Sequence, residues 1–216
     1  MLTRHQANIR GRDFFVGDIH GQYRLLQEVL QGVAFSPSED RLFCVGDLID
    51  RGADSLDCLM LAFMPWFHAV RGNHEELARS ALCDGEGSSA WALWMINGGG
   101  WVVESGVGKT RRVLQAALRH LPLAREVSVM GKRVGMVHAE PPADWSWVEE
   151  ADREALLWGR SRIRRGDETP VAGVDAVVVG HTIVAQPLIL GNVHYIDTGA
   201  FCTNRLTLVD ARELLR

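Results

Sequence analysis

Short runs of apolar residues recur along the chain, and most of them end at a glycine followed by a polar residue. The runs are FFVGD (14–18), LFCVGD (42–47), WFHAVRGN (66–73), RVGMVHAE (133–140) and DAVVVGHT (175–182). Their shortness and their β-branched or aromatic content predict buried strands. A glycine lets the chain turn sharply where each strand ends. The pattern therefore predicts that polar residues are presented at the ends of several strands.

Helical periodicity separates the early strands. Leucines and other apolar residues share one face in QYRLLQEVL (22–30), SLDCLMLAF (55–63) and HEELARSAL (74–82). Alternation of strands and helices predicts an α/β domain with its functional site at the strand ends. Near the end of the chain, NVHYIDTGA (192–200) and RLTLVD (205–210) read as consecutive strands without a helix between them. They predict a second, more antiparallel sheet.

Composition narrows the class of protein. The 216 residues suit one domain spanning 1–216, and the 47% hydrophobic content can supply a sizeable core. A net charge of −4 argues against a general nucleic-acid binder. No apolar run is long enough to span a bilayer, and the first residues lack the apolar stretch of a signal peptide. The four cysteines form no disulfide framework. We expect a cytoplasmic protein that binds neither nucleic acid nor membrane.

The polar residues at the predicted strand ends form a set with metal-binding chemistry. They are Asp18, His20, Asp47, Asn73, His74, His138 and His181. Oxygen and imidazole donors suit divalent ions such as manganese, iron or zinc. Several such residues at strand ends are hard to explain by packing, because charged aspartates are almost never buried unpaired. The sequence therefore predicts a metal site at this edge of the fold.

Three of these motifs together resemble the signature of a known family. GDIHG (17–21), GDLIDRG (46–52) and RGNHE (71–75) are similar, in that order, to the calcineurin-like metallophosphoesterases, especially their phosphoprotein phosphatase branch. WALWMINGGGW, VHAE, LLWGRSR, GHT and HYIDTGA extend the resemblance to the compact bacterial and lambda-phage serine/threonine phosphatases. It implies an α/β fold with a central two-sheet β-sandwich flanked by helices, and a dinuclear metal site at the strand ends.

The resemblance also implies roles for individual residues. It implies two divalent metal ions, Mn²⁺ before Fe or Zn, held by Asp18, His20, Asp47, Asn73, His138 and His181. Asp18 and His20 would bind the first ion, Asp47 would bridge both, and the remaining three would complete the second. Two such ions lower the pKa of a bound water, which then attacks phosphorus directly.

Four further residues are implied to act on the substrate. His74 would be the general acid that protonates the leaving oxygen, and Asp50 would orient it. Arg51 and Arg160 would hold the phosphate oxygens, since guanidinium groups match them bidentately. The role of Arg160 could instead belong to one of three neighbouring arginines, Arg162, Arg164 or Arg165. The implied substrate is a phosphorylated protein or peptide, and we expect a monomer or weak oligomer.

Two departures and four alternatives qualify this interpretation. Glu140 stands where the relatives usually carry Asp, and Ile183 where they often carry Pro. A dinucleoside tetraphosphate hydrolase would use the same three motifs, and another small-molecule phosphoesterase remains open as well. A nucleotide-binding switch would use ESGVGKT (104–110), but Val103 stands where a P-loop needs glycine, and we expect a loop leading into a helix at Thr110. A catalytically silent binding module would have lost a ligand or the acid, and all are present.

Overall fold

Two β-sheets packed face to face form the centre of the molecule, and helices cover their outer faces. The computed structural model describes residues 2–216. The strands are β1 (Leu2–His5), β2 (Asp13–Val16), β3 (Arg41–Cys44), β4 (Phe67–Ala69), β5 (Ala124–Val129), β6 (Lys132–Val137), β7 (Ala176–Val179), β8 (Leu188–Leu190), β9 (Val193–Tyr195) and β10 (Leu208–Asp210). This architecture confirms the predicted two-sheet α/β sandwich.

Nine α-helices lie between the strands in the described part of the chain. They are α1 (Tyr23–Gly32), α2 (Ser55–Met60), α3 (Asn73–Asp84), α4 (Ser89–Ile96), α5 (Val102–Ser105), α6 (Val107–Ala117), α7 (Arg153–Trp158), α8 (Ser161–Arg165) and α9 (Ala200–Thr203). None of those within residues 2–216 combines the length and apolar character needed to cross a bilayer.

The two sheets differ in strand order and direction. The four-stranded sheet has the order β10–β2–β3–β4, with β2, β3 and β4 parallel and β10 antiparallel to β2. The six-stranded sheet has the order β1–β5–β6–β7–β9–β8 and mixes parallel and antiparallel pairs. Parallel strands end at the same edge of a sheet, so the segments that follow β2, β3 and β4 emerge side by side.

Alternating residues of β2 show how the sandwich is packed. Phe14 faces the helices in a cluster that contains Leu26 of α1. Phe15 faces the other sheet, where it joins Phe43 of β3 and Met136 of β6. Since both faces are covered, every residue of β2 is buried, as expected for a strand without polar alternation. A third cluster lies beneath α7 on the far face of the six-stranded sheet.

Two local predictions were wrong in detail. The segments 192–200 and 205–210 do contain strands, but β9 and β10 lie in different sheets and α9 separates them. The antiparallel pairing comes instead from β10 with β2, β5 with β6, and β8 with β9. The segment 104–110 is largely helical, and α6 begins at Val107 rather than at Thr110. Gly108 and Lys109 therefore lie within a helix.

Candidate metal centre

The ends of five strands, three from one sheet and two from the other, bring the predicted ligands together. All seven side chains are buried: Asp18, His20, Asp47, Asn73, His74, His138 and His181. Two groups have donor atoms within 4.8 Å of one another. One contains His20, Asp47 and His74, and the other contains Asp47, His138 and His181. Asp47 belongs to both groups, which is the position that a bridging carboxylate requires.

The backbone at this edge is unusual for non-glycine residues. Five of the predicted site residues have positive φ angles: His20 (47°), Asp47 (48°), Asp50 (73°), Arg51 (70°) and His181 (64°). Such conformations cost about 1–3 kcal/mol each and persist only where the surrounding structure enforces them. The turns after β2, β3 and β7 thus present these side chains at a cost in local stability.

Two glycines leave the space that the carboxylates occupy. A Cβ atom at Gly72 would lie 2.1 Å from Asp47 Oδ1, and one at Gly180 would lie 2.0 Å from Asp18 Oδ1. Neither distance can be tolerated, since ordinary contact begins at about 3.4 Å. The backbone of both loops therefore approaches the acidic side chains as closely as a glycine allows.

The second group has the donor pattern of a cation site. His138 Nδ1 lies 2.8 Å from the carbonyl oxygen of Val45, so this nitrogen must carry the proton. In a neutral ring, Nε2 is then an acceptor, yet it lies only 2.9 Å from Asn73 Oδ1. His181 Nδ1 is also 2.9 Å from that oxygen. Acceptors that converge in this way fit a cation, and a carbonyl behind the ring is the usual support of a metal-binding histidine.

The first group is built similarly around His20. Its Nδ1 lies 2.9 Å from the carbonyl oxygen of Ile49, which leaves Nε2 to face Asp47 Oδ2 at 3.6 Å. Asp18 lies at the edge of this group and accepts a hydrogen bond from the His181 backbone N–H at 3.1 Å. The structure brings His74 into the group in its place. The resemblance implies instead that Asp18 and His20 bind one ion together.

Burial and charge act in both directions on the proposed ligands. Burial lowers the pKa of His138, but the charge of Asp47 outweighs it, and the pKa lies above its ordinary value. Burial opposes ionisation of Asp47, but the neighbouring His138 and His74 outweigh it and hold the pKa of this carboxyl well below its usual range. Burial lowers the pKa of His20 and of His181 to about 3. Neutral imidazole is the form that coordinates metals. The residues present therefore fit a pair of divalent cations.

His74 and Asp50 form a buried pair beside this centre. His74 Nδ1 lies 2.7 Å from Asp50 Oδ2. Burial lowers the pKa of His74, but the charge of Asp47 and the hydrogen bond to Asp50 outweigh it, and the pKa lies above its ordinary value. The indole N–H groups of Trp94 and Trp101 donate to Asp50 Oδ1 at 2.9 and 2.7 Å. The ring is thus held in one orientation and favours the protonated form.

The two arginines predicted to hold phosphate differ in their surroundings. Arg51 is exposed, and its guanidinium nitrogens lie 2.8 Å from His20 Nε2 and 3.1 Å from His74 Nε2. Its guanidinium also stacks over Phe201, 4.2 Å from the ring centroid. Arg160 is half-buried; burial and the neighbouring charge of Arg164 lower the pKa of its guanidinium, and the charge of Asp47 opposes them. Within residues 2–216 its guanidinium has no hydrogen bond or ion pair, so it is available for an anion.

The three arginines that could take the role of Arg160 differ from it in their surroundings. Arg162 is buried and donates to the carbonyl oxygens of residues 167 and 169. Arg165 lies 4.0 Å from Asp167, and Arg164 is exposed. Glu140, one of the two departures, accepts a hydrogen bond from the backbone N–H of Ser161. This departure therefore supports the segment that carries Arg160 rather than contacting the ligand group.

Sequence reasoning missed five residues around the centre, and one of them is Trp94, whose indole contact to Asp50 has been described above. Glu75 is wholly buried and accepts backbone hydrogen bonds from Asp47, Leu48 and Gly72, which ties two of the strand-end turns together. Burial raises the pKa of Asp18, and the charge of the buried Asp197 raises it further. Phe201 and Trp101 have been described above. Glu75 lies in the RGNHE motif and Asp197 in HYIDTGA. An acidic residue inside a motif was therefore the signal that could have identified each of them.

Comparison with known proteins agrees with this arrangement. Residues 14–185 match the family model of the calcineurin-like phosphoesterases. Serine/threonine-protein phosphatase 1 of Salmonella typhimurium is 39% identical over 198 residues, which cover 89% of this chain and 88% of that protein. A symmetrical bis(5'-nucleosyl)-tetraphosphatase of Shewanella putrefaciens is 29% identical and covers 90% of this chain but 65% of that protein.

A solved structure supports the fold alone, because its sequence identity is only 18%. This crystal structure of a proposed diadenosine tetraphosphatase superposes with a TM-score of 0.70, covering 98% of this chain and 94% of that one. The family model spans the strand ends that carry every proposed ligand from Asp18 to His181. The chain therefore belongs to the calcineurin-like metallophosphoesterases.

Proposed function

We propose that this chain is a phosphoprotein phosphatase that hydrolyses phosphoserine and phosphothreonine monoesters, with phosphotyrosine and phosphohistidine as further candidate substrates. The observation that carries the proposal is the buried His74–Asp50 pair, 2.7 Å apart, at the edge of the ligand cluster. An alkoxide is a poor leaving group at neutral pH, and a fixed imidazolium supplies the proton that it needs.

The metal ligands follow the sequence-based assignment. Asp18 and His20 would hold one cation, Asn73, His138 and His181 the other, and Asp47 both. The two cations, Mn²⁺ as first choice, would supply an activated water and neutralise the phosphate charge. The nitrogen and oxygen donor set supports a borderline divalent ion, and no thiolate takes part.

The remaining residues would act on the substrate. Arg51 and Arg160 would orient the phosphate oxygens. For Arg160 this requires little rearrangement, since its guanidinium has no partner among residues 2–216. Arg51 would have to leave His20 Nε2, which it contacts at 2.8 Å, so that this nitrogen becomes available to a cation. Its stacking on Phe201 would continue to support it.

Tetraphosphatase activity is the second candidate, because relatives with that name match the same motifs. The extent of the matches favours the first. This chain covers 88% of the Salmonella phosphatase but 65% of the Shewanella tetraphosphatase. About a third of the latter therefore has no counterpart here, whereas nearly all of the former does.

A parallel assay on metal-free protein tests the proposal. Manganese, iron and zinc are added back singly, and each preparation is given a phosphoserine peptide, a phosphothreonine peptide and diadenosine tetraphosphate. We expect the stripped protein to be inactive and manganese to restore peptide hydrolysis most strongly. Faster turnover of diadenosine tetraphosphate would replace the proposal by the second candidate. Full activity after exhaustive chelation, with metal absence verified by elemental analysis, would refute both.

A further inference from the structure

One stretch of chain, residues 94–101, contacts both members of the Asp50–Arg51 dipeptide. The indole N–H groups of Trp94 and Trp101 donate to the same oxygen, Asp50 Oδ1. The carbonyl oxygen of Gly98 accepts a hydrogen bond from the backbone N–H of Arg51 at 3.0 Å. This 94–101 segment comprises the end of α4 and the turn that follows it. It therefore contacts Asp50, which orients the proposed acid His74, and Arg51, which is proposed to bind the phosphate.

The dipeptide needs such support. Asp50 and Arg51 are consecutive non-glycine residues with φ angles of 73° and 70°, a combination that an unsupported chain avoids. Asp50 is completely buried, and its two oxygens have separate partners. Two indoles hold Oδ1, so the carboxylate cannot rotate freely, and Oδ2 remains directed at His74.

We propose that the 94–101 segment is a positioning element for both substrate-facing groups. Trp94 and Trp101 would fix the Asp50 carboxylate, and through it the orientation of the His74 ring. Gly98 would fix the backbone from which Arg51 reaches the phosphate. None of the three touches the reacting atoms. The inference rests on the proposed function, because it assumes that His74 protonates the leaving group.

Gly98 is suited to this task for two reasons. Its φ of 103° disfavours any other residue. A Cβ atom there would lie 2.7 Å from the Arg51 backbone nitrogen and 2.8 Å from its Cγ. Alanine at this position must therefore displace Arg51. Gly100 offers a matched control, since it has nothing within 4 Å of an added Cβ and no positive φ.

The tryptophans also have a matched control. Trp91 lies one helical turn before Trp94, and the two rings pack edge to face at 5.5 Å. The Trp91 indole makes no hydrogen bond to Asp50 among residues 2–216. Phenylalanine at 94 or 101 keeps an aromatic ring and removes only the donor and part of the volume. At 91 the same change alters packing without altering the carboxylate.

The test compares two aryl phosphates whose leaving groups differ in their need for a proton. With phenyl phosphate, Trp94→Phe and Trp101→Phe should each lower kcat by about tenfold, a fraction of what general acid catalysis contributes. With 4-nitrophenyl phosphate the loss should stay below about threefold, since nitrophenolate departs without much help. Gly98→Ala should instead raise KM about tenfold for both substrates. Trp91→Phe and Gly100→Ala should match the wild type.

Metal content and thermal unfolding are measured on every variant, so that loss of fold or of ligand geometry is seen directly. Equal losses on the two substrates in the tryptophan variants would assign these residues to packing and overturn the inference. So would Gly98→Ala behaving like Gly100→Ala. His74→Asn separates this failure from that of the proposed function. If that variant also loses both substrates equally, the acid role of His74 fails first, and the inference fails with it.

Discussion

The close approach of two glycines to acidic side chains allows the ligand assignment to be tested without changing any ligand. In Gly180→Ala, the new methyl group would lie 2.0 Å from Asp18 Oδ1, and in Gly72→Ala it would lie 2.1 Å from Asp47 Oδ1. Ordinary contact begins near 3.4 Å, so each oxygen must move by more than 1 Å. Metal sites tolerate displacements of only about 0.2 Å in ligand distance.

The two substitutions should differ in stoichiometry. Gly180→Ala disturbs Asp18, which is proposed to bind one cation, so one of two manganese ions should be lost. Gly72→Ala disturbs Asp47, the proposed bridge, and should lose both. Even mutations behind the ligands commonly weaken metal binding by about 10–100-fold. Displacing a ligand itself should reach at least the upper end of that range.

Elemental analysis after gel filtration gives the stoichiometry, and titration calorimetry gives the affinities. Overpacking of this kind typically costs about 1–3 kcal/mol. In Gly72→Ala the new methyl group also lies 2.4 Å from the Asp47 backbone nitrogen, so circular dichroism and thermal unfolding first establish that each variant is folded. Gly32→Ala is the matched control, since an added Cβ there has nothing within 4 Å. Two ions bound at unchanged affinity in Gly180→Ala would exclude Asp18 as a ligand. One retained ion in Gly72→Ala would refute the bridging role of Asp47.

Three further predictions concern the acid, a stabilising ion pair and phosphate binding. His74→Asn should lower kcat by about 10²–10⁴-fold for a phosphoserine peptide and visibly less for 4-nitrophenyl phosphate, with metal content unchanged; metal loss would contradict the acid role. Burial opposes ionisation of Asp40, but Arg12 at 2.7 Å outweighs it and lowers the pKa. Asp40→Asn should therefore lower the free energy of unfolding by about 1.5–3 kcal/mol at neutral pH, measured by urea titration. The difference between wild type and variant should shrink below about pH 4, because the wild-type carboxyl then takes up a proton in the folded state. Arg160→Ala should raise KM for phosphopeptide by at least about tenfold and Arg164→Ala should not; the reverse order would move the phosphate contact to Arg164.

The strand ends were predictable because their signal is local. An apolar run, a glycine and a polar residue occupy adjacent positions, and the joint motifs made Asp18, Asp47 and His181 recognisable together. Three strands, β1, β5 and β8, were not predicted. In β5 the buried Arg125 and Glu126 interrupt the apolar pattern, because their partners come from elsewhere in the fold.

The support of Asp50 could not be predicted from the sequence. Helical spacing explains the burial of Trp94 fully, so nothing in the pattern signals a use for its indole nitrogen. Both indoles donate to Asp50, which is 44 residues from Trp94 and 51 residues from Trp101 in the sequence. Likewise, motif spacing cannot decide whether Asp18 or His74 lies nearer to His20, because His74 follows β4 and its distance depends on how β2, β3 and β4 pair.

The distribution of the ligand cluster over both sheets has a consequence for synthesis of the protein. Asp18 follows β2 in one sheet, whereas His181 follows β7 in the other, 163 positions later in the chain. During translation, the early motifs emerge from the ribosome long before the last ligand exists. Under the proposed assignment, the second cation would then find Asp47 and Asn73 but would lack His138 and His181. On the proposed assignment, the complete centre therefore forms only when the two sheets dock, and we expect a partly folded nascent chain to hydrolyse no cellular phosphoester.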